Sequence, residues 1–211
     1  MTKKRRKLST LSTFYFVKNY FHGNLNKSQE FCEHKLHLFR NKLNHNKIPT
    51  KEGWIMRLKD IREESELKHF TISKLLGVSR GTYSLWELEK DPIPIKRLND
   101  FCNIFKCSID YALGFTNIPN YKNSKENINI NLSSTRLKAL RKEHKHTQDY
   151  VAKKLSINRS LISKYESGHT IISTTFLIEY VKLYHISSDY LLGKIDEKIT
   201  IEEPTILTYN Y

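Results

Sequence analysis

The chain has 211 residues, of which 38% are hydrophobic and 27% charged. This is enough apolar material for small cores but too little for a large enzyme fold. Its net charge of +14 favours a polyanionic partner such as nucleic acid, or less often an anionic membrane surface. No run of 18 apolar residues occurs, so the sequence predicts no transmembrane helix.

The positive charge is unevenly distributed along the chain. Residues 1–53 hold 12 Lys and Arg against 3 Glu, and residues 135–195 hold 11 against 5 acidic residues. The net charge is +1 in residues 54–115, +1 in residues 116–134 and −3 in residues 196–211. The basic character therefore lies in the N-terminal segment and in the second half of the chain.

The N-terminal segment, residues 1–53, is predicted to be a basic and partly helical extension. Lys3–Lys7 has two interpretations: an arm that reaches DNA, or a solubilising tail. Ser28 is a candidate cap for an amphipathic helix over residues 29–44. The nearby cysteine and histidines, Cys32, His34, His37 and His45, do not follow a recognised zinc spacing, and no metal site is predicted.

The three cysteines of the chain form no paired framework and no CxxC motif. A reduced, cytoplasmic protein is the simplest interpretation of this pattern. No nucleophile, carboxylate cluster or phosphate-binding loop is evident, so the sequence predicts neither an enzyme nor a cofactor.

The sequence contains an internal repeat with a period of 79 residues. Residues 57–114 (the first repeat) align without a gap with residues 136–193 (the second repeat), and 17 of 58 positions are identical. RLKDIR matches RLKALR near the start, and DYALG matches DYLLG at the end. A gapless match of this length indicates two copies of one small domain.

Each repeat has the apolar pattern of five short helices. In the second repeat the first helix is expected from about Ser134, and Thr147 and Asn158 stand where caps of helices 2 and 3 are expected. The prediction is an all-α fold with two tandem five-helix domains at residues 54–115 and 135–195. An Asn-rich flexible linker, residues 116–134, joins them, and residues 196–211 form a tail that adds a strand, a dimer contact or nothing.

The recurring residues resemble the Cro/CI-like (Xre-type) helix-turn-helix family, whose domains are lambda-repressor-like. The matching residues run from Arg136-Leu-Lys-Ala-Leu-Arg through Thr147-Gln148, Arg159 and Ser163-Lys164-Tyr165-Glu166 to Asp189-Tyr190-Leu191-Leu192-Gly193. The resemblance implies a sequence-specific regulator of transcription, repressor-like, that binds double-stranded DNA and comes from a bacterium, phage or mobile element. It leaves a homodimer open and indicates no membrane and no small-molecule ligand.

By this resemblance, the helix after each turn enters the major groove with its N-terminal side chains at the base edges. In the second repeat the DNA-facing residues are Asn158, Arg159, Ser160, Ser163 and Lys164. Gln148, at the start of the preceding helix, is expected to hold a phosphate.

The corresponding residues of the first repeat are Ser79, Arg80, Gly81 and Ser84, with His69 in place of Gln148. Because Gly81 and Leu85 offer no polar group to a base, the first repeat is expected to bind DNA less strongly.

One charged pair recurs in both repeats, Arg62 with Glu87 and Arg141 with Glu166. In relatives this Arg and this Glu form an ion pair that holds helix 3 against helix 1, and the same structural role is expected here. The alternative to a DNA-binding regulator is a protein-interaction or antitoxin-type module, in which the first domain mediates dimerisation.

Overall fold

The computed structural model describes residues 56–202, and these residues fold into ten helices. Five lie in the first repeat: α1 (Leu58–Glu64), α2 (His69–Leu75), α3 (Arg80–Glu87), α4 (Ile95–Phe105) and α5 (Ile109–Ala112). Five more lie around the second: α6 (Ile130–Glu143), α7 (Gln148–Lys154), α8 (Arg159–Glu166), α9 (Thr174–Tyr184) and α10 (Ser188–Leu191). The described part of the chain is thus all-helical, with one isolated antiparallel bridge between Ile186 and Thr200.

Short polar side chains begin most helices of the second repeat, as the sequence predicts. Thr147 Oγ1 accepts a hydrogen bond from Tyr150 N at 3.1 Å, and Asn158 Oδ1 accepts one from Ser160 N at 2.9 Å. Such caps satisfy backbone N–H groups that have no partner within the helix.

The start of α6 differs from the prediction. The helix expected from about Ser134 begins at Ile130, because Asn129 Oδ1 accepts a hydrogen bond from Leu132 N at 3.0 Å and caps the helix there. The last residues of the segment assigned to the linker are therefore helical.

The rest of the segment between the repeats also differs from the flexible chain expected there. Ser108 N donates to Pro119 O at 2.7 Å, Lys125 N to Lys194 O at 2.8 Å, and Asn129 N to Leu192 O at 3.0 Å. Backbone groups of this segment therefore bond to both repeats.

The apolar side chains of both repeats belong to one continuous buried cluster. Tyr83 and Trp86 of α3 and Ile162 and Tyr165 of α8 lie in it, so the predicted inner faces of both helices are buried. After the second repeat, Ile201 is also buried and its N–H donates to His185 O at 2.9 Å. The first residues of the tail therefore pack on the second repeat.

The N-terminal extension lies outside the described residues. This applies to the proposed arm at Lys3–Lys7, to the helix expected over residues 29–44, and to the group of Cys32, His34, His37 and His45. Residues 203–211 of the tail likewise lie outside the described part.

Candidate nucleic-acid interface

Helices α7 and α8 of the second repeat form a helix-turn-helix unit. Between them, Ser156 has a left-handed backbone (φ 53°), and Ile157 N donates to Ala152 O at 3.0 Å. Ala152 is buried where the two helices cross. A small residue at this point allows the close approach that a steep crossing requires.

The outer face of α8 is polar and exposed. Arg159, Ser160, Ser163 and Lys164 are all exposed, while the intervening apolar residues face the core. The side-chain oxygen Oδ1 of Asn158 accepts a hydrogen bond from Ser160 N and so caps the helix. Arg159 Nε lies 3.6 Å from Asp149 Oδ1, a surface contact with a side-chain exposure of 63% for the arginine. Such a pair is weak in water, so the guanidinium is available to another partner.

The side chains of Arg141, Gln148 and Glu166 form a hydrogen-bonded cluster that connects α8 to α6 and α7. Arg141 Nε donates to Glu166 Oε1 at 2.6 Å, Arg141 Nη2 to Oε2 at 2.8 Å, and Gln148 Nε2 to Oε2 at 2.9 Å. Burial opposes ionisation of Glu166, but the hydrogen bonds from Arg141 and Gln148 outweigh it and hold the pKa of Glu166 below its ordinary value. The ion pair recurring in the sequence is thus formed and links α6 with α8, and the hydrogen bond from Gln148 adds α7.

The structure adds a role for Gln148 that the sequence did not indicate. Its amide nitrogen carries two hydrogens, and one of them is directed to Glu166. The second hydrogen can still be donated to a phosphate. Because the amide is held on one side, its orientation is fixed before any ligand arrives.

The first repeat contains an equivalent cluster with a different third member. Arg62 Nε donates to Glu87 Oε1 at 2.5 Å, and His69 Nε2 lies 2.5 Å from Glu87 Oε2. Tyr83 Oη also donates to Glu87 Oε1 at 3.0 Å. Burial opposes ionisation here as well, yet the bonds from Arg62 and His69 hold the pKa of Glu87 below its ordinary value. His69 therefore occupies the position of Gln148.

The exposed face of α3 has less polar chemistry than that of α8. Ser79 caps the helix by accepting a hydrogen bond from Thr82 N at 3.0 Å. Arg80 and Gly81 are exposed and Ser84 is half-buried. Next to them, Leu85 and Leu88 are exposed large apolar residues, as is Phe70 of α2. The two repeats thus share a backbone arrangement and present different surfaces.

The contact between the repeats is the feature that sequence reasoning missed. Ile109 N donates to Asp189 Oδ1 at 3.2 Å, and Asp110 N donates to Asp189 Oδ2 at 2.9 Å. In return, Ser188 N donates to Asp110 Oδ1 at 2.7 Å, and Ser187 Oγ donates to Asp110 Oδ2 at 2.5 Å. Each aspartate of the repeated DY-LG motif caps the short helix of the other repeat. The sequence shows the two Asp residues at the period of 79, each two residues after Ser108 or Ser187, but it does not show that they bond across the repeats.

Two other kinds of site are absent from the part of the chain that the structure describes. No group of three or more potential metal ligands occurs among residues 56–202. Over the same residues, no helix has the length and hydropathy needed to cross a membrane.

Comparison with known proteins identifies the class of the second repeat. Residues 137–191 match the family model described as Helix-turn-helix. This region is therefore a helix-turn-helix domain of the Cro/CI-like type, and it is homologous to HTH-type regulators of Bacillus.

Two curated relatives share this region. The chain is 41% identical over 59 residues to the HTH-type transcriptional regulator ImmR of Bacillus subtilis (strain 168), a match that covers 28% of this chain and 46% of ImmR. It is 25% identical over 75 residues to the uncharacterized HTH-type transcriptional regulator YobD of the same organism, covering 36% of this chain and 67% of YobD. The chain thus spans less than half of the length of ImmR. No solved structure matches the chain.

Proposed function

We propose that this chain is a sequence-specific regulator of transcription that binds double-stranded DNA, repressor-like and without enzymatic activity. The observation that carries the proposal is the exposed polar face of α8 on a helix-turn-helix unit held rigidly by buried hydrogen bonds. A helix presented in this way fits the major groove and directs its N-terminal side chains to base edges.

Within this proposal, Arg159 reads a guanine, because a guanidinium donates to O6 and N7 of guanine at once. Lys164, one turn further along, contacts a base edge or a phosphate. Ser160 and Ser163 are small enough to let the backbone approach the groove. Gln148 donates its second amide hydrogen to a phosphate, a contact that orients the domain and is independent of base sequence.

We also propose that the first repeat is a second helix-turn-helix domain of the same origin. The gapless match at a period of 79 residues and the equivalent Arg–Glu pairs support this. Arg80 is then its counterpart of Arg159, and His69 its counterpart of Gln148. The proposed location of such a regulator is the cytoplasm of a bacterial host, which contains the DNA that it binds.

The proposal is tested by binding to duplex DNA over a range of salt concentrations. We expect the affinity to fall steeply as salt increases, with a slope in log–log form of about −0.9 for each phosphate contacted. Lys164→Ala is expected to weaken binding, whereas Lys182→Ala, which removes the same charge from the last turn of α9, is expected to leave it unchanged. Absence of salt-dependent duplex binding, or equal effects of the two substitutions, would contradict the proposal.

A second candidate function is protein docking by the first repeat, as in an antitoxin. It is favoured by the exposed apolar side chains Phe70, Leu85 and Leu88, since exposed apolar patches mark interaction sites. Light scattering on the wild type and on Leu85→Ser distinguishes protein docking by the first repeat from DNA binding. Self-association that Leu85→Ser abolishes, with DNA binding retained, supports docking; a monomer in both cases excludes docking between copies.

A further inference from the structure

The two repeats contact each other through a reciprocal set of hydrogen bonds. Ile109 N donates to Asp189, and Ser188 N donates to Asp110. Residue 188 is the repeat equivalent of 109, and residue 189 that of 110. The second bond is therefore the first with the repeats exchanged. Exchange of equivalent partners is the mark of a two-fold relation between two bodies.

This contact is closed to solvent within a single chain. The side chains of Asp110, Ser187, Ser188 and Asp189 have no exposed surface, and neither has Ile109 at the centre of the contact. Because this surface is already buried within one chain, it cannot bind a second copy of the chain. The interaction that would join two subunits in a symmetric dimer is made between the two repeats.

Further contacts fix the repeats relative to each other. Thr174 Oγ1 donates to Ile93 O at 2.5 Å, and the buried Lys194 Nζ donates to Asn99 Oδ1 at 2.5 Å. The connecting segment adds hydrogen bonds from the side chains of Asn99 and Asn103 to Glu126 O, at 2.9 and 3.0 Å. These contacts add to those of the reciprocal aspartates, so the two repeats are held at several points.

We propose that the chain is a built-in pseudo-dimer, in which one chain binds two unlike, inverted half-sites of a single operator. The inference rests on the proposed function, because it assumes that the chain binds duplex DNA. A two-fold relation between the repeats also relates α3 to α8, which is the relation between the recognition helices of a dimer on an inverted repeat. A symmetric dimer reads two identical half-sites, whereas this chain presents two different surfaces.

The difference between the half-sites follows from the exposed residues of the two helices. Arg159 and Lys164 give the α8 half-site a preference for guanine. In the α3 half-site Arg80 supplies the same preference, but Leu85 occupies the position of Lys164 and is 43% exposed. An apolar side chain there contacts the methyl group of thymine. The operator is therefore an imperfect inverted repeat, richer in thymine on the α3 side.

The experiment selects bound sequences from random duplex DNA with the full chain. The mass of the complex with the selected duplex is then measured by light scattering. We expect two different inverted half-sites with centres about 10 base pairs apart, and one 25.0 kDa chain for each duplex. Arg159→Ala should relax base preference in one half-site only, and Arg80→Ala in the other only. Both residues are exposed, so both variants are expected to fold.

The outcomes separate this inference from the proposed function. Two identical half-sites bound by two chains, or a single half-site that is insensitive to Arg80→Ala, overturn the pseudo-dimer while leaving the DNA-binding function intact. Failure to bind any duplex in a salt-dependent way overturns both.

Discussion

Substitution of Glu166 by Gln tests whether the buried cluster of Arg141, Gln148 and Glu166 holds the recognition helix. The carboxylate accepts three side-chain hydrogen bonds, and its side chain is only 5% exposed. Removing one member of a buried ion pair leaves the other charge without compensation, at a cost of about 3–5 kcal/mol. Because Gln keeps one acceptor oxygen, we expect the free energy of unfolding to fall by about 3 kcal/mol, the lower end of this range.

Urea denaturation followed by circular dichroism measures this loss. With a slope of about 2 kcal/mol/M, a loss of about 3 kcal/mol moves the unfolding midpoint down by about 1.5 M. The matched control is Glu179→Gln, because Glu179 forms a surface pair with Lys182 at 2.9 Å and such pairs contribute about 0–1 kcal/mol. If both substitutions move the midpoint equally, the cluster does not hold the helix.

A pH series gives a second measure of the same cluster. The pKa of Glu166 is lowered in the folded state, so its contribution to stability is present above the ordinary carboxyl pKa and is lost as pH falls through the lowered value. Glu166→Gln should therefore remove part of the acid destabilisation seen in the wild type. An unchanged acid limb would contradict the assigned cause.

Three further predictions concern the interface, one glycine and one helix cap. Burial and the charge of Asp110 raise the pKa of Asp189 in the folded state, so the stability that protonated Asp189 contributes is full below the ordinary Asp pKa and is lost as pH rises from there toward the raised value. Asp110→Asn should flatten this decline in urea midpoints. Gly193→Ala should cost about 1–3 kcal/mol in chemical denaturation and more than Gly77→Ala, since both have positive φ but only at Gly193 does an added Cβ meet another atom, at 3.0 Å. Lys68 stands at the N-cap position before α2 and makes no side-chain cap hydrogen bond, so Lys68→Thr should raise the midpoint by an amount equivalent to about 1 kcal/mol. A steeper decline in Asp110→Asn, an equal cost at the two glycines, or no gain from Lys68→Thr would contradict the respective argument.

The second repeat was largely predictable from the sequence because its helices are set by local signals. Thr147 and Asn158 are short polar residues that directly precede apolar periodic segments, and caps of this kind depend on residues within three positions. The pairing of Arg141 with Glu166 was expected because the resembling family forms this pair, and the same two residue types recur 79 residues earlier.

The contact between the repeats was not predictable in the same way. Asp110 and Asp189 occupy the same position of the DY-LG motif that both repeats contain, and nothing local distinguishes an aspartate that caps its own repeat from one that caps the other. The early start of α6 was missed because Asn129 lies in a run of Asn residues, several of which are equally good caps. A long-range partner decides the first feature, whereas the second depends on which of several local Asn residues caps the helix.

The most direct test of the central claim measures base discrimination by Arg159. Wild type and Arg159→Ala are titrated against the selected duplex and against duplexes with single base-pair changes across it. We expect the wild type to lose about 1–3 kcal/mol of binding free energy at one guanine, and Arg159→Ala to show no loss at that position while keeping its discrimination elsewhere. Equal discrimination by both proteins at every position would show that α8 does not read the operator through Arg159.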